Sequence, residues 1–318
     1  MDENEIRVPV FFINGFLESG KTSFLKDTIA QDYFKIDEKT VLILCEEGEV
    51  EYEEKELKKN NIQVIKIDEE EDFTHEAMCR IDARYEPARV IIEWNGMWPV
   101  RNFEQIEMPK GWGIIQQITC VDASTLGPYL VNLKQLFSDM VRNSDMVYFN
   151  RCTEDLPLAS YRRSVKVINQ AADAIFEDVD GNECNIFKEQ LPFDINAEVI
   201  EIAPEDYGIW YVDALDDPKK YVGKKVRFTA LVIKSRKPKA PYFVPCRMAM
   251  TCCAADMQLI GFVCSYSKAP TLKEGDWIDI TAKVGYGFSK VYRGKGIILE
   301  PVSIESTKGL DEPYVYFN

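Results

Sequence analysis

Gly15-Phe16-Leu17-Glu18-Ser19-Gly20-Lys21-Thr22 has residue types and spacing that specify a chemistry at once, because it fits the pattern G-x4-G-K-[ST] of a phosphate-binding loop. Glycines at 15 and 20 let the chain turn back with its amides pointing inward, and a helix starting there adds partial positive charge where phosphates sit. Lys21 would neutralise β/γ-phosphate charge, and the Thr22 hydroxyl would ligate a Mg²⁺ that bridges the terminal phosphates. Glu18, Ser19 and Ser23 lie in the same loop or just after it and are candidate nucleotide contacts.

A second concentration of reactive groups is Cys246, Cys252, Cys253 and Cys264, four of nine cysteines within 19 residues. Adjacent cysteines on a strand point to opposite faces, so Cys252, Cys253 and Asp256 can share a Zn²⁺ only if the chain bends there. The spacing is not the C-x2-C of a ribbon or finger, and buried free thiols are the competing reading. His75 and Cys79, at i and i+4 after the acidic run Asp68 to Asp72, could face one ion together with Asp72 or Glu71. That run also suits a solvated helix start, where acidic residues are favoured. Finally, Lys224 to Lys239 holds seven cations in 16 residues with Tyr242 and Phe243 beside them. Such a stretch can bind single-stranded nucleic acid, dock on an acidic surface, or simply keep a hairpin soluble.

The elements that must carry these groups change in kind along the chain. Arg7 to Asn14 is apolar on both faces, as a buried parallel strand requires. Ser23 to Ala30 follows with helical spacing, and Thr40 to Cys45 completes a βαβ unit. Further strands are expected at Ile62 to Ile67, Arg89 to Glu93, Gly113 to Val121 and Met146 to Asn150. Helices are expected at Phe73 to Tyr85, Leu126 to Val141 and Ala159 to Asn169. This alternation predicts an α/β domain over residues 1–205, with a mainly parallel sheet and helices on both faces. Beyond Glu205 helical periodicity gives way to five strand-like runs, Lys225 to Lys234, Tyr242 to Thr251, Gln258 to Ser265, Trp277 to Val284 and Gly296 to Ile304. They predict a small β-rich domain over residues 206–318, with the strand count of an OB-type barrel.

At 318 residues the chain exceeds one typical domain, and no apolar run approaches the ~20 residues that cross a bilayer. Membrane insertion is therefore not expected. The opening Met-Asp-Glu-Asn-Glu is unlike a secretory signal, and nine scattered cysteines suit reduced thiols, so a cytoplasmic home is expected. The net charge of -15 speaks against nucleic-acid binding by the whole molecule but hides an asymmetry. From Tyr207 on there are 17 Lys and Arg against 11 Asp and Glu, while the preceding part holds 21 of the chain's 38 basic and 42 of its 53 acidic residues.

Pro9 through Leu25, with its Gly-Phe-Leu loop opening, resembles the start of the CobW-type GTPases, grouped with HypB and UreG among cytosolic P-loop proteins that deliver or manage metal ions. Val90-Ile91-Ile92-Glu93-Trp94-Asn95-Gly96-Met97-Trp98-Pro99 is similar to that family's second nucleotide motif. The resemblance implies that Glu93 lies near Mg²⁺ and its waters, and that Gly96 approaches the γ-phosphate through its amide. A buried carboxylate beside a turn is the alternative for Glu93. Cys45 to Glu51 stands where the family has an Asn-Glu-x-Gly-Glu switch, so Glu46, Glu47 and Glu49 are either Mg²⁺ contacts or a solvated acidic loop. Asn150-Arg151-Cys152-Thr153-Glu154-Asp155 takes the place of the guanine-reading Asn-Lys-x-Asp, with Arg for Lys and the Asp two positions late. Asn150 can still reach a base, and the resemblance favours GTP over ATP. The family's Gly-Cys-x-Cys-Cys is absent.

The second half resembles the C-terminal domain of bacterial YcgQ-type proteins that accompany putative permeases. The matching residues are Tyr221 to Val226, Arg247, Thr251 to Asp256, Gly275-Asp276-Trp277 and Pro313 to Tyr316. This implies a bacterial origin and a link to metal or solute transport, with a metal-receiving or transport protein as partner. The expectation is a P-loop GTPase of low intrinsic turnover acting as a switch, with Lys21 and Glu93 as its catalytic groups. The competing expectation is an interaction module in the β-domain, binding single-stranded nucleic acid or a protein, beside a nucleotide domain without metal delivery.

Overall fold

The apolar run at the N-terminus forms β1 (Val8–Asn14), the centre of a seven-stranded sheet. The computed structural model describes residues 6–48, 50–184, 191–235, 240–250 and 257–315. By its contacts the chain divides into two units, Met1–Leu158 with Ile168–Ile186, and Ala159–Val167 with Phe187–Asn318.

In the first unit β1 leads through α1 (Lys21–Ala30) to β2 (Thr40–Leu44), α2 (Glu54–Lys59), β3 (Ile62–Lys66), α3 (His75–Tyr85) and β4 (Arg89–Glu93). After α4 (Val100–Phe103) come β5 (Trp112–Asp122), α5 (Leu126–Asn132), α6 (Lys134–Arg142) and β6 (Met146–Asn150). Next in the chain come α7 (Leu158–Ile168), whose residues Ala159–Val167 belong to the second unit, and β7 (Asp173–Phe176) of the first. The strand order is β3-β2-β4-β1-β5-β6-β7 and every pairing is parallel. Alternate residues of β1 serve the two faces: Ile13 joins Leu25, Ile29, Leu42 and Ile91 on one, while Phe12 stacks 4.1 Å from Phe103 and touches Trp94 on the other. Because β2 and β4 lie to one side of β1 and β5 to the other, the chain reverses direction at β1. In open α/β sheets ligands bind outside the carboxyl ends of the strands at such a point.

The second unit begins its sheet with β8 (Val199–Glu201), then α8 (Tyr207–Asp216), β9 (Lys225–Lys234), β10 (Tyr242–Met250), β11 (Met257–Gly261), β12 (Val263–Ser265), β13 (Trp277–Ser289), β14 (Gly294–Ser306) and β15 (Tyr314–Val315). Pairings of β9 with β10, β10 with β12, β12 with β14, β14 with β13 and β13 with β9 close a five-stranded barrel. Only β12 and β14 within that ring run parallel, as in an OB-type barrel. Val226, Phe228, Ala230 and Val232 of β9 face Ile278, Ile280, Ala282 and Val284 of β13 in its core.

Several expectations need correction. The stretch Leu126 to Val141 is two helices, broken at Leu133, whose φ of -128° and ψ of 31° leave the helical region. Gln258 to Ser265 is likewise two strands, β11 and β12, with Phe262 turned into the core between them. Helical structure does not end at Glu205, because α8 follows. Its Tyr207, Trp210, Tyr211, Val212 and Ala214 are all buried, so it carries no polar stripe and no amphipathic period to read.

Trp210 lies edge-on to Phe262 and tilted against Phe228, fully excluded from solvent. Trp210→Ala is expected to cost about 3–5 kcal/mol of stability. Urea unfolding of the full chain would measure it; a loss under about 1 kcal/mol would mean that the barrel holds without α8.

Candidate functional site

The carboxyl ends of β1, β2, β4, β5 and β6 converge on the loop Gly15 to Gly20. Gly15 has φ of 142°, and a Cβ there would stand 2.2 Å from the Cys120 carbonyl oxygen. Gly20, the N-cap of α1, has φ of 92°, and its Cβ would stand 2.6 Å from Asn150 Nδ2. Neither position admits a side chain. Lys21, the first residue of α1, is 4% exposed. Its Nζ donates to the carbonyls of Gly15 (3.0 Å) and Phe16 (2.9 Å) and pairs with Glu46 Oε2 at 2.5 Å. Glu46 Oε1 accepts from the Gly96 N–H at 3.4 Å. A Cβ on Gly96 would lie 2.6 Å from the Leu17 nitrogen, so this glycine lets the turn after β4 press against the loop backbone.

Glu93, at the end of β4, is 3% exposed. Thr22 Oγ1 donates to its Oε1 at 2.6 Å and Tyr52 Oη donates to its Oε2 at 2.6 Å. Burial raises the Glu93 carboxyl above the ordinary range, against the opposing pull of these two donors and of Lys21. Burial, and then Glu93 itself, also push the Tyr52 hydroxyl up, so it stays a donor. A hydroxyl and a carboxylate this close, beside a phosphate loop, are the hard oxygen donors that Mg²⁺ uses, with room left for phosphate oxygens. Ser19 Oγ and Asn150 Oδ1 are buried without a partner among the described residues, a cost of roughly 1–3 kcal/mol each that a bound group would relieve.

On the other flank Asn150 Nδ2 donates to the Ser19 carbonyl at 2.8 Å. Arg151, with φ of 52°, donates to the Glu18 carbonyl (3.1 Å) and pairs with Asp122 at 2.7 Å. Glu18, Ser19, Gly20, Lys21, Thr22 and Ser23 line a cleft with Glu46, Glu93 and Arg151. From Gly20 and Ser23 a second cavity of about 720 Å³ extends between α1 and the ends of β6 and β7. Tyr52, Asp122 and residues 177–181 of its wall escape sequence reading. Asp122 leaves one trace, a carboxylate at the carboxyl end of an apolar run. Tyr52 leaves none, since its role arises only where the chain after β2 folds back.

Residues 9–178, over half of the chain, match the family model described as CobW/HypB/UreG, nucleotide-binding domain. The chain belongs to the CobW/HypB/UreG family. Residues 182–317 match the model of the DUF1980 C-terminal domain. Among solved structures, the hydrogenase maturation factor HypB from Archaeoglobus fulgidus is similar at 18% identity and a TM-score of 0.38, over 55% of this chain and 84% of that one. Zn(II)-bound YjiA GTPase from E. coli is similar at 16% identity and a TM-score of 0.41, over 96% and 91%. No curated protein matches the chain.

Cys252, Cys253 and Asp256 lie outside the described residues. Cys246 and Cys264 are buried free thiols, each pushed up to about 12 by burial. His75 Nδ1 lies 2.7 Å from the Glu107 carbonyl and its Nε2 3.4 Å from Cys79 Sγ. Among the described residues no three His, Cys, Asp or Glu side chains gather as a metal site. No described helix is long and apolar enough to cross a membrane. In the basic stretch Lys224 donates to the Ile195 carbonyl, Lys225 pairs with Glu198, Arg227 with Asp279, and Lys234 donates to the Pro270 and Leu272 carbonyls. Arg236, Lys237 and Lys239 lie outside the described residues.

The burial of Glu93 separates function from stability. Glu93→Gln removes a desolvated charge while keeping the shape, so stability is expected to stay within about 1 kcal/mol of the parent or rise. Mg²⁺-dependent nucleotide affinity is expected to fall at least about tenfold, roughly 1.4 kcal/mol. Thermal unfolding and calorimetric titration with and without Mg²⁺ would check both; a purely structural carboxylate would give the opposite pattern.

Proposed function

We propose that the chain binds a nucleoside triphosphate with Mg²⁺, GTP in preference to ATP, hydrolyses it slowly and uses the change to switch a protein contact. The observation that carries this reading is the preformed anion site in the phosphate loop. A buried ammonium and a backbone N–H, Lys21 Nζ and Gly96 N, already hold one carboxylate, that of Glu46. Terminal phosphate oxygens are anions of the same kind and would take over both donors as Glu46 withdraws. Thr22 and Glu93 would hold Mg²⁺, which when bound neutralises charge on the terminal phosphates.

The chain's own residues then position and stabilise. Lys21 offsets charge that grows on the phosphoryl group, the loop amides orient it, and Glu93 orients a water or the metal's hydration shell. Arg151 is the arginine on the cleft, and its guanidinium is engaged by Asp122 and the Glu18 carbonyl. Among the described residues of the cleft no second cation is free to join Lys21 at the transferring group, so turnover is expected to be low. Tyr52 and Glu46 both lie on the segment after β2, so exchanging their contacts for ligand moves that segment and supplies the switch. Family membership makes metal handling the setting we favour, with a metal-receiving or transport protein as partner and the cytosol as location.

Calorimetric titration of GTP and ATP with Mg²⁺ tests the reading. Lys21→Ala is expected to abolish binding at micromolar nucleotide; equal binding by parent and variant would remove the loop from the function. Glu46→Gln leaves a neutral group that phosphate displaces more easily. Its affinity for Mg²⁺-free nucleotide is expected to rise about three- to tenfold, since a charged hydrogen bond is roughly twice as strong as a neutral one.

A further inference from the structure

We propose that the cavity beside the phosphate loop takes the guanine of the nucleotide, and that Asp180 is the carboxylate that selects it. This rests on the nucleotide reading above and adds the group that chooses the base. The cavity, about 720 Å³, has the volume of a small-molecule site and meets the phosphate cleft at Gly20, Ser23 and Arg151. A nucleotide with its phosphates on Lys21 and Thr22 therefore has its ribose and base led into it. Tyr33, 81% exposed, and Val179, 77% exposed, both stand on its lining. A planar base can stack on one and lie against the other.

The polar lining is one-sided. Asp27, Glu177, Asp178 and Asp180 line the cavity against a single cation, Arg151, already held by Asp122 and Glu18. Two of the four carboxylates have structural duties. Glu177 accepts from Tyr148 Oη at 2.7 Å, and Asp178 Oδ1 accepts from the N–H groups of Asp180 (2.8 Å) and Asn182 (2.9 Å), which fixes the loop after β7. Asp180 sits on that fixed loop, and its carboxylate has no hydrogen-bond or ion-pair partner among the described residues. Asp27 is carried on α1, the wall that leads to the phosphates, whereas the loop after β7 borders β6 and Asn150. Asp155, the late aspartate of the motif after Asn150, is absent from the lining and takes a hydrogen bond from the Thr153 side chain. The acceptor for the base must then come from another loop, and Asp180 is available.

The chemistry decides which base. Guanine presents N1–H and its 2-amino group side by side, two donors for one carboxylate. Adenine presents an acceptor and a C–H at the same edge and leaves the carboxylate unpaired. Xanthine keeps N1–H but has an oxygen at C2, which a carboxylate repels and a carboxamide satisfies. Asp180→Asn is therefore expected to exchange guanine for xanthine selectivity.

The test is titration of the full-length protein with GDP, ADP and xanthosine diphosphate in the presence of Mg²⁺. The parent is expected to prefer GDP over ADP by about a hundredfold or more, as for a site built to bond a donor that the analogue lacks. Asp180→Asn should lose at least about tenfold for GDP and gain for xanthosine diphosphate, a gain that also shows the variant to be folded. Tyr33→Ala should weaken all three alike by about tenfold, and Asp27→Asn should leave the order unchanged. Unchanged GDP preference in Asp180→Asn overturns the assignment while the nucleotide reading stands; equal GDP and ADP binding by the parent overturns both the assignment and the preference for GTP, leaving nucleotide and Mg²⁺ binding in place. Failure of the parent to bind any of the three overturns both.

Discussion

The ammonium of Lys21 is the constraint on which the first unit turns. A charge at 4% exposure costs several kcal/mol unless acceptors surround it, and this one is met by two loop carbonyls and a carboxylate. For Gly15 and Phe16 to point their carbonyls inward, the loop must curl tightly. That curl forces the positive φ at Gly15 and Gly20 and leaves no space for a Cβ at either. The Glu46 carboxylate brings the segment after β2 to the loop, and its other oxygen meets Gly96 from the turn after β4. One buried cation thus ties together three segments that lie far apart in sequence.

The parallel sheet makes this possible. All its strands end on the same side, so Glu46, Glu93, Asp122 and Asn150, each at or just past a strand end, converge without long connections. The direction change at β1 opens the cleft where they meet. Supporting contacts come in crossed pairs: Asn150 and Arg151 hold the loop carbonyls of Ser19 and Glu18 from one side, and Thr22 and Tyr52 hold Glu93 from the other. The loop is preorganised by hydrogen bonds to its carbonyls, including one from its own Ser19 N–H to the Phe16 carbonyl at 3.2 Å.

The second unit follows a different logic. Its barrel has an apolar interior closed by α8, and the cations that make it basic are in good part engaged by carbonyls and carboxylates of the same unit. Net charge alone therefore says little about what this unit binds. The aromatic helix α8 is determined by packing against that interior.

Local patterns determined much of this protein. The loop Gly15 to Thr22 was legible because phosphate binding requires glycine, lysine and a hydroxyl at fixed intervals, and the parallel strands because burial on both faces demands unbroken apolar runs. Such features depend on neighbours within a few residues. Tertiary structure alone decided the rest. The mostly buried α8 shows no clear period, the break at Leu133 lies within one continuous helical pattern, and the roles of Tyr52, Asp122 and the loop from Glu177 to Gly181 arise from distances across the sheet. A carboxylate or hydroxyl looks the same in sequence whether it faces water or a buried partner, and only the folded chain sets the burial and the geometry that give it a function.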